Sequence, residues 1–160
     1  MHALLQQHVM TRADIRTMVS DNIAAGLLQL RPGAAELITY CHTQSIPILI
    51  VSAGVTDVIE ETLQQHGVLL PNVRVSSNAM VYGEDESKAL KSWVGPVVHS
   101  RNKHNSHQRE SEYFAQQRAA GRSSAIVIGD KVRFLACLVF GLVWGVSSAH
   151  QRRNVSLNRT

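Results

Sequence analysis

Cysteine is scarce: Cys41 and Cys137 are the two present in 160 residues. They stand far apart, so neither zinc-ligand spacing nor a disulfide framework is visible, and a reducing compartment is expected. The opening residues, MHALLQQHVMTRADIR, have no charged start leading into an apolar core, so no secretory leader is expected. No internal repeat is apparent. Acidic residues are missing from the last thirty positions, where Lys131, Arg133, Arg152, Arg153 and Arg159 give +5. Residues 1–130 hold 11 Lys and Arg against 12 Asp and Glu, a net of −1. The overall charge of +4 therefore belongs to the tail. A nucleic-acid footprint is normally a basic stripe on a folded body, and this body is near neutral, so no nucleic-acid partner is expected.

Apolar residues are present in ordinary amount, 44% of the chain. That is enough for one domain with a core and argues against wholesale disorder. The pattern along the chain predicts helices over 11–30, 31–44, 55–67 and 111–121. Thr11 is a plausible N-cap for the first, Pro32 would lie in the first turn of the second, and Leu37, Ile38 and Cys41 would share a face. IPILIVS (46–52) and SAIVIGD (124–130) are near-continuous apolar runs, the pattern of strands covered on both faces. Residues 72–83 alternate and read as one or two short strands. Helices interleaved with buried strands predict an α/β fold with a parallel sheet.

Both apolar runs end on polar residues, Ser52 and Asp130. Ligands of open parallel sheets bind beyond the carboxyl ends of the strands, so the two are expected in one crevice. Ser52 with the amides of Ala53 and Gly54, at the start of a helix, would suit an anion. Asp130 would suit a hard cation such as Mg²⁺, and Lys103 could supply the cation that a phosphate needs. Taken alone, these spacings also fit an ordinary turn, a cap and a solvated lysine.

From about Leu4 to Asp130 the sequence resembles the cytosolic pyrimidine 5'-nucleotidases, a branch of the haloacid dehalogenase superfamily. The resemblance rests on SIPILIVSAGVTDVIEETLQQHGVLLPNVRVSSNAMVY, HSRNKHNSHQRESEYF and IVIGD, in that order. It implies a partial Rossmann-like core (31–130), a remnant of the helical cap (1–30) and a tail outside the family pattern (131–160). By the same resemblance, Ser52 and Ala53 would bind the substrate phosphate. Lys103 would neutralise it as the catalytic lysine, and Asp130 would hold Mg²⁺. The implied reaction hydrolyses nucleoside 5'-monophosphates such as UMP and CMP through an aspartyl-phosphate, in the cytoplasm, by a monomer without a membrane partner.

Two departures qualify that expectation. The family's Asp-x-Asp, which supplies the nucleophile, has no match before Ser52; Asp14 and Asp21 stand in a helical pattern. The chain is therefore expected to begin inside the cap and to be inactive alone. After Lys131 the pattern is lost, with Phe134 where a second acid is expected. The uncharged run from Phe134 to Ala149 reads as a membrane anchor, a buried replacement helix or, preferred, translated intron sequence. The alternative function is a non-catalytic phosphate or nucleotide binder whose tail docks on a membrane or partner. His99, His104 and His107 lack a fourth ligand at suitable spacing, so a solvated loop is preferred there to a zinc site.

Overall fold

Thr11 opens the first helix with a reciprocal cap. In the computed structural model, which describes residues 10–82, 92–99, 102, 106–128 and 143–146, the Asp14 amide donates to the Thr11 hydroxyl at 3.1 Å. The Thr11 amide donates to the Asp14 carboxylate at 2.7 Å. Two backbone donors at the helix start are thereby satisfied, and the Thr11 amide and then the Thr11 hydroxyl, both donating to it, hold the Asp14 carboxyl below its usual range. The helix, α1, runs Arg12–Ala24, shorter than the expected 11–30. Gly26 takes φ of 71°, a left-handed value that turns the chain out of the helix. The Leu27 amide then returns to the Asn22 carbonyl at 2.9 Å.

Ile15 and Val19 lie one turn apart on α1 and are buried with Val55 and Met80; Ile23 and Val58 pack around them. This is one of two apolar clusters among the described residues. The second gathers Ile38, Leu63 and Val68, with Ile48, Ile50, Val73 and Val75 against them. Ile38 comes from α2 (Ala34–Thr43). That helix starts two residues beyond Pro32, and of the face expected from Leu37, Ile38 and Cys41 only Ile38 is buried, Leu37 being 45% exposed.

Between the clusters lies a strand–helix–strand unit: β1 (Ile48–Val55), α3 (Thr56–Gln65) and β2 (Val73–Asn78). The strands pair in parallel, Ile48 opposite Val73 and Val51 opposite Ser76. A parallel pair needs a crossover between its strands, here supplied by a helix, and the expected parallel α/β organisation is thus present. α3 ends on Gly67, φ 71°. The Val68 amide closes back to Leu63 at 2.9 Å, and their side chains meet in the second cluster, the usual polar and apolar halves of such a stop. A short antiparallel pair, β3 (Met80–Val81) and β4 (Ser92–Trp93), follows.

The chain divides into two compact units, 1–103 and 104–160. The second holds α4 (Ser106–Arg109), α5 (Ser111–Ala119), β5 (Ala125–Val127) and β6 (Val143–Val146). β6 runs parallel to β5. It falls inside the run Phe134–Ala149, so at Val143–Val146 that run is a strand rather than the expected buried helix; the rest of the run lies outside the described residues. Among the described residues, no helix is long and apolar enough to cross a membrane.

Candidate functional site

The end of β1 differs from its expected form. The apolar run was expected to stop at Ser52 and enter a helix at Val55. Instead the strand continues to Val55 and α3 begins at Thr56. The reason is a bulge. Val51 faces Ser76 and Val55 faces Asn78, so four steps along β1 match two along β2, and Ser52, Ala53 and Gly54 are pushed out of the ladder.

Side chains from β2 hold the displaced backbone. The Ser77 hydroxyl donates to the Gly54 carbonyl at 2.8 Å. The Asn78 amide donates to the same carbonyl at 2.8 Å and to that of Ala53 at 3.1 Å. With these carbonyls occupied, the bulge keeps an extended course rather than winding into α3. Within the bulge, the Gly54 amide donates to Ser52 Oγ at 3.0 Å. The Gly54 N–H, expected to face an anion, is thus engaged internally. The Ser52 hydroxyl acts as acceptor and keeps its own proton for donation. Glycine is needed at position 54 for close approach: a Cβ there would stand 3.2 Å from Ser52 Oγ and 3.5 Å from the Ile59 side chain.

Asn78 continues to a second segment. Its Nδ2 donates to the Val98 carbonyl at 2.9 Å, and its Oδ1 accepts from the Val98 amide at 2.6 Å. Beyond Val98, three hydrogen bonds connect Val97, His99 and Asn102. The His99 amide donates to Asn102 Oδ1 at 2.7 Å, the Asn102 amide to the His99 carbonyl at 3.0 Å, and Asn102 Nδ2 to the Val97 carbonyl at 3.0 Å. Asn102 immediately precedes Lys103 in the sequence.

Of the residues expected in the site, Ser52 and Ala53 stand together on the bulge. Lys103 and Asp130 lie outside the described residues, as does His104 of the histidine group. Among the described residues, no three His, Cys, Asp or Glu gather as a metal site. Asp130 has the chemistry for Mg²⁺, a hard oxygen donor of the kind that ion takes one or two of, leaving the remaining positions to water and phosphate. The sequence reading missed Ser77, Asn78 and Asn102. The sequence around 73–78, VRVSSN, alternates and then turns polar, as many strand ends do, so it did not single out Ser77 or Asn78.

Beside the bulge, Asp57 in the first turn of α3 accepts from the Tyr82 hydroxyl at 3.1 Å and from the Met80 amide at 3.3 Å. Burial, then the Asp57 charge and that hydrogen bond, raise the Tyr82 phenol well above its ordinary range, with Arg12 opposing. The Arg12 guanidinium lies 4.8 Å from the centre of the Tyr82 ring, a cation–π distance. Tyr82 therefore remains a donor at neutral pH, tying the start of α3 to the strand that follows β2.

Comparison with known proteins places this geometry. Residues 1–139 match the family model described as "Pyrimidine 5'-nucleotidase (UMPH-1)", a match that runs past Asp130. A chicken 7-methylguanosine phosphate-specific 5'-nucleotidase is 39% identical over 131 residues, 82% of this chain and 43% of the relative. The human protein of the same name is 32% identical over 82% of this chain and 41% of its own length. The chain thus spans less than half of these relatives. The crystal structure of cytosolic 5'-nucleotidase IIIB bound to cytidine superposes with a TM-score of 0.63 at 27% identity, over 79% of this chain and 41% of that one. With a parallel βαβ unit whose first strand ends on a serine bulge, and a family match over most of its length, the chain belongs to the pyrimidine 5'-nucleotidase family.

Proposed function

We propose that the bulge at Ser52 and Ala53 is the phosphate-binding element of a Mg²⁺-dependent 5'-nucleotidase acting on nucleoside 5'-monophosphates. The observation that carries the reading is the Ser52 hydroxyl, which accepts from the Gly54 amide at 3.0 Å at the carboxyl end of β1. Its proton is thereby available to a phosphoryl oxygen. Lys103 would neutralise the phosphate dianion, and Asp130 would hold Mg²⁺. When bound, that ion supplies charge neutralisation at the phosphoryl oxygens.

UMP and CMP are the proposed substrates, in keeping with the family description. The names of the chicken and human relatives make 7-methylguanosine monophosphate the third to assay. A cytosolic location and a monomeric state go with the reading; the solved relative is named cytosolic. No Asp-x-Asp precedes Ser52 in these 160 residues, so the chain alone binds without turnover: loss of a covalent nucleophile commonly removes several orders of magnitude of rate.

Calorimetry of the 160-residue chain with UMP, CMP, 7-methylguanosine monophosphate and inorganic phosphate tests both halves. Binding is expected, weakened about tenfold by Ser52→Ala through loss of a hydrogen bond to a charged group, and weakened further by Lys103→Ala. No binding by the folded wild-type chain would remove the phosphate site. Rapid UMP hydrolysis, abolished by Lys103→Ala, would overturn the inactivity.

A further inference from the structure

Among the described residues of the first unit, the buried polar side chains are Thr62, Ser76, Ser77 and Asn78, and Asn78 is the most enclosed of them. Asn78 is 2% exposed and, with Val19, is one of the two largest fully enclosed side chains among the described residues. A buried amide must be paired to be tolerated, and this one is paired throughout, entirely to backbone. Its two N–H groups serve three carbonyls, so Ala53 and Gly54 share one while Val98 takes the other; its oxygen takes the Val98 amide. Val98 N–H needs an acceptor and the three carbonyls need donors, so the network itself fixes which end of the amide is which.

The arrangement copies a missing strand. Val98 exchanges one donated and one accepted bond with the Asn78 side chain, as it would with a neighbouring peptide in a ladder. The opposite edge of the same amide grips the bulge. One planar group therefore joins two stretches of backbone that lack their own ladder: Ser52–Gly54, and Val98, whose neighbours Val97 and His99 are hydrogen-bonded to Asn102. Aspartate has the same shape but loses both donors and adds a buried charge. Leucine keeps the volume and loses every bond. Glutamine adds a methylene to a space already enclosed.

We propose that Asn78 is a positioning residue. It locks the serine bulge to the backbone at Val98, so that the Ser52 hydroxyl presents a single geometry to phosphate. This rests on the phosphate-site reading for its consequence, though the coupling itself does not depend on that reading. A packing role alone would be met by an apolar side chain of equal size, without the need to satisfy four backbone groups.

The test uses the ¹⁵N-labelled 160-residue chain, with inorganic phosphate as ligand and amide hydrogen exchange as a second readout. In the wild type, the Gly54 and Val98 amides are expected to open together. Asn78→Asp is expected to separate their exchange and weaken phosphate binding about tenfold, the effect of misplacing one hydrogen bond to a charged group. Val68→Ala, in the other apolar cluster, is the stability control: it lowers the unfolding midpoint and leaves phosphate affinity unchanged. If Asn78→Asp does not fold, Asn102→Ala frees Val97 and His99 alone and is expected to weaken phosphate about threefold.

Wild-type phosphate affinity in whichever asparagine variant folds, with binding still lost in Ser52→Ala, would overturn the proposal. A folded wild-type chain that ignores phosphate would remove the functional reading instead. The exchange data would then decide the coupling, joint opening of Gly54 and Val98 supporting it and independent opening refuting it.

Discussion

Two stretches of this chain look alike and behave differently. ILIVSAGV forms β1 and AIV forms β5, each the centre of an apolar run ending on polar residues. Every residue of β1 is at least partly buried, with Ile48 and Ile50 against the Ile38–Leu63–Val68 cluster and Val55 against α1. In β5 and the residue after it, Ile126 is 79% exposed and Ile128 73% exposed. An apolar run states a need for cover and not its fulfilment. β1 is followed by a crossover helix and a parallel partner of six residues, and α1 and α2 supply two more apolar faces. β5 has three residues and a partner reached through residues 128–142.

The comparison is sharpest if a deep substitution in the first unit is set against one on β5. Leu63→Ala, at 4% exposure, is expected to cost about 2–5 kcal/mol. Ile126→Ala is expected to stay within about 0.5 kcal/mol. Urea unfolding of the two variants checks the contrast, and a cost at Ile126 comparable to that at Leu63 would break it.

The next test concerns the helix that covers β1. Thr11→Ala removes the hydroxyl of the α1 cap and is expected to cost about 1 kcal/mol. Its readout is the thermal midpoint, and no change would mean that α1 is held by Ile15 and Val19 alone. The cap is also pH-dependent. Because the folded state holds the Asp14 carboxyl below its ordinary value of 3.8, its contribution is present above that value and is lost as the pH falls through the depressed one.

On β2 the sign should reverse. The Ser76 hydroxyl is buried without a partner, whereas the neighbouring Ser77 and Asn78 hold the bulge. Ser76→Ala is therefore expected to stabilise by about 1 kcal/mol. A loss of that size would point to a bond made by this hydroxyl in solution.

The smallest expected effect is at Glu60 on α3. Burial and then the Asp57 charge raise its carboxyl above the ordinary value of 4.5, with Arg12 opposing. A raised carboxyl favours the folded state below the unfolded value, and that advantage is lost as the pH rises through the folded one. Glu60→Gln is accordingly expected to be slightly more stable than the wild type at neutral pH and to lose that gain below about pH 4. Urea unfolding at the two pH values measures it.

Much was legible in the sequence because it is local. The capping role of Thr11, the stop at Gly67, and the apolar stretch at 48–51 follow from side-chain chemistry within a few residues. Ser52 and Ala53 were legible because they end that stretch. The bulge was not. Two residues too many between Val51 and Val55 exist only relative to β2, and helix spacing from Val55 onward gave no sign that Gly54 would remain extended. Nor was Asn78 legible: twenty residues of chain separate it from Val98, and its sequence context is that of any polar strand end.

What the sequence by itself determined is the order of the main helices and strands between Thr11 and Asn78, since propensity, capping and apolar spacing act over a single turn or strand. The tertiary structure alone decided which apolar strand is covered and how the Ser52 loop is shaped. Both depend on partners distant in the chain, and a buried hydrogen-bond network such as that of Asn78 exists only once those partners have been brought together and water removed.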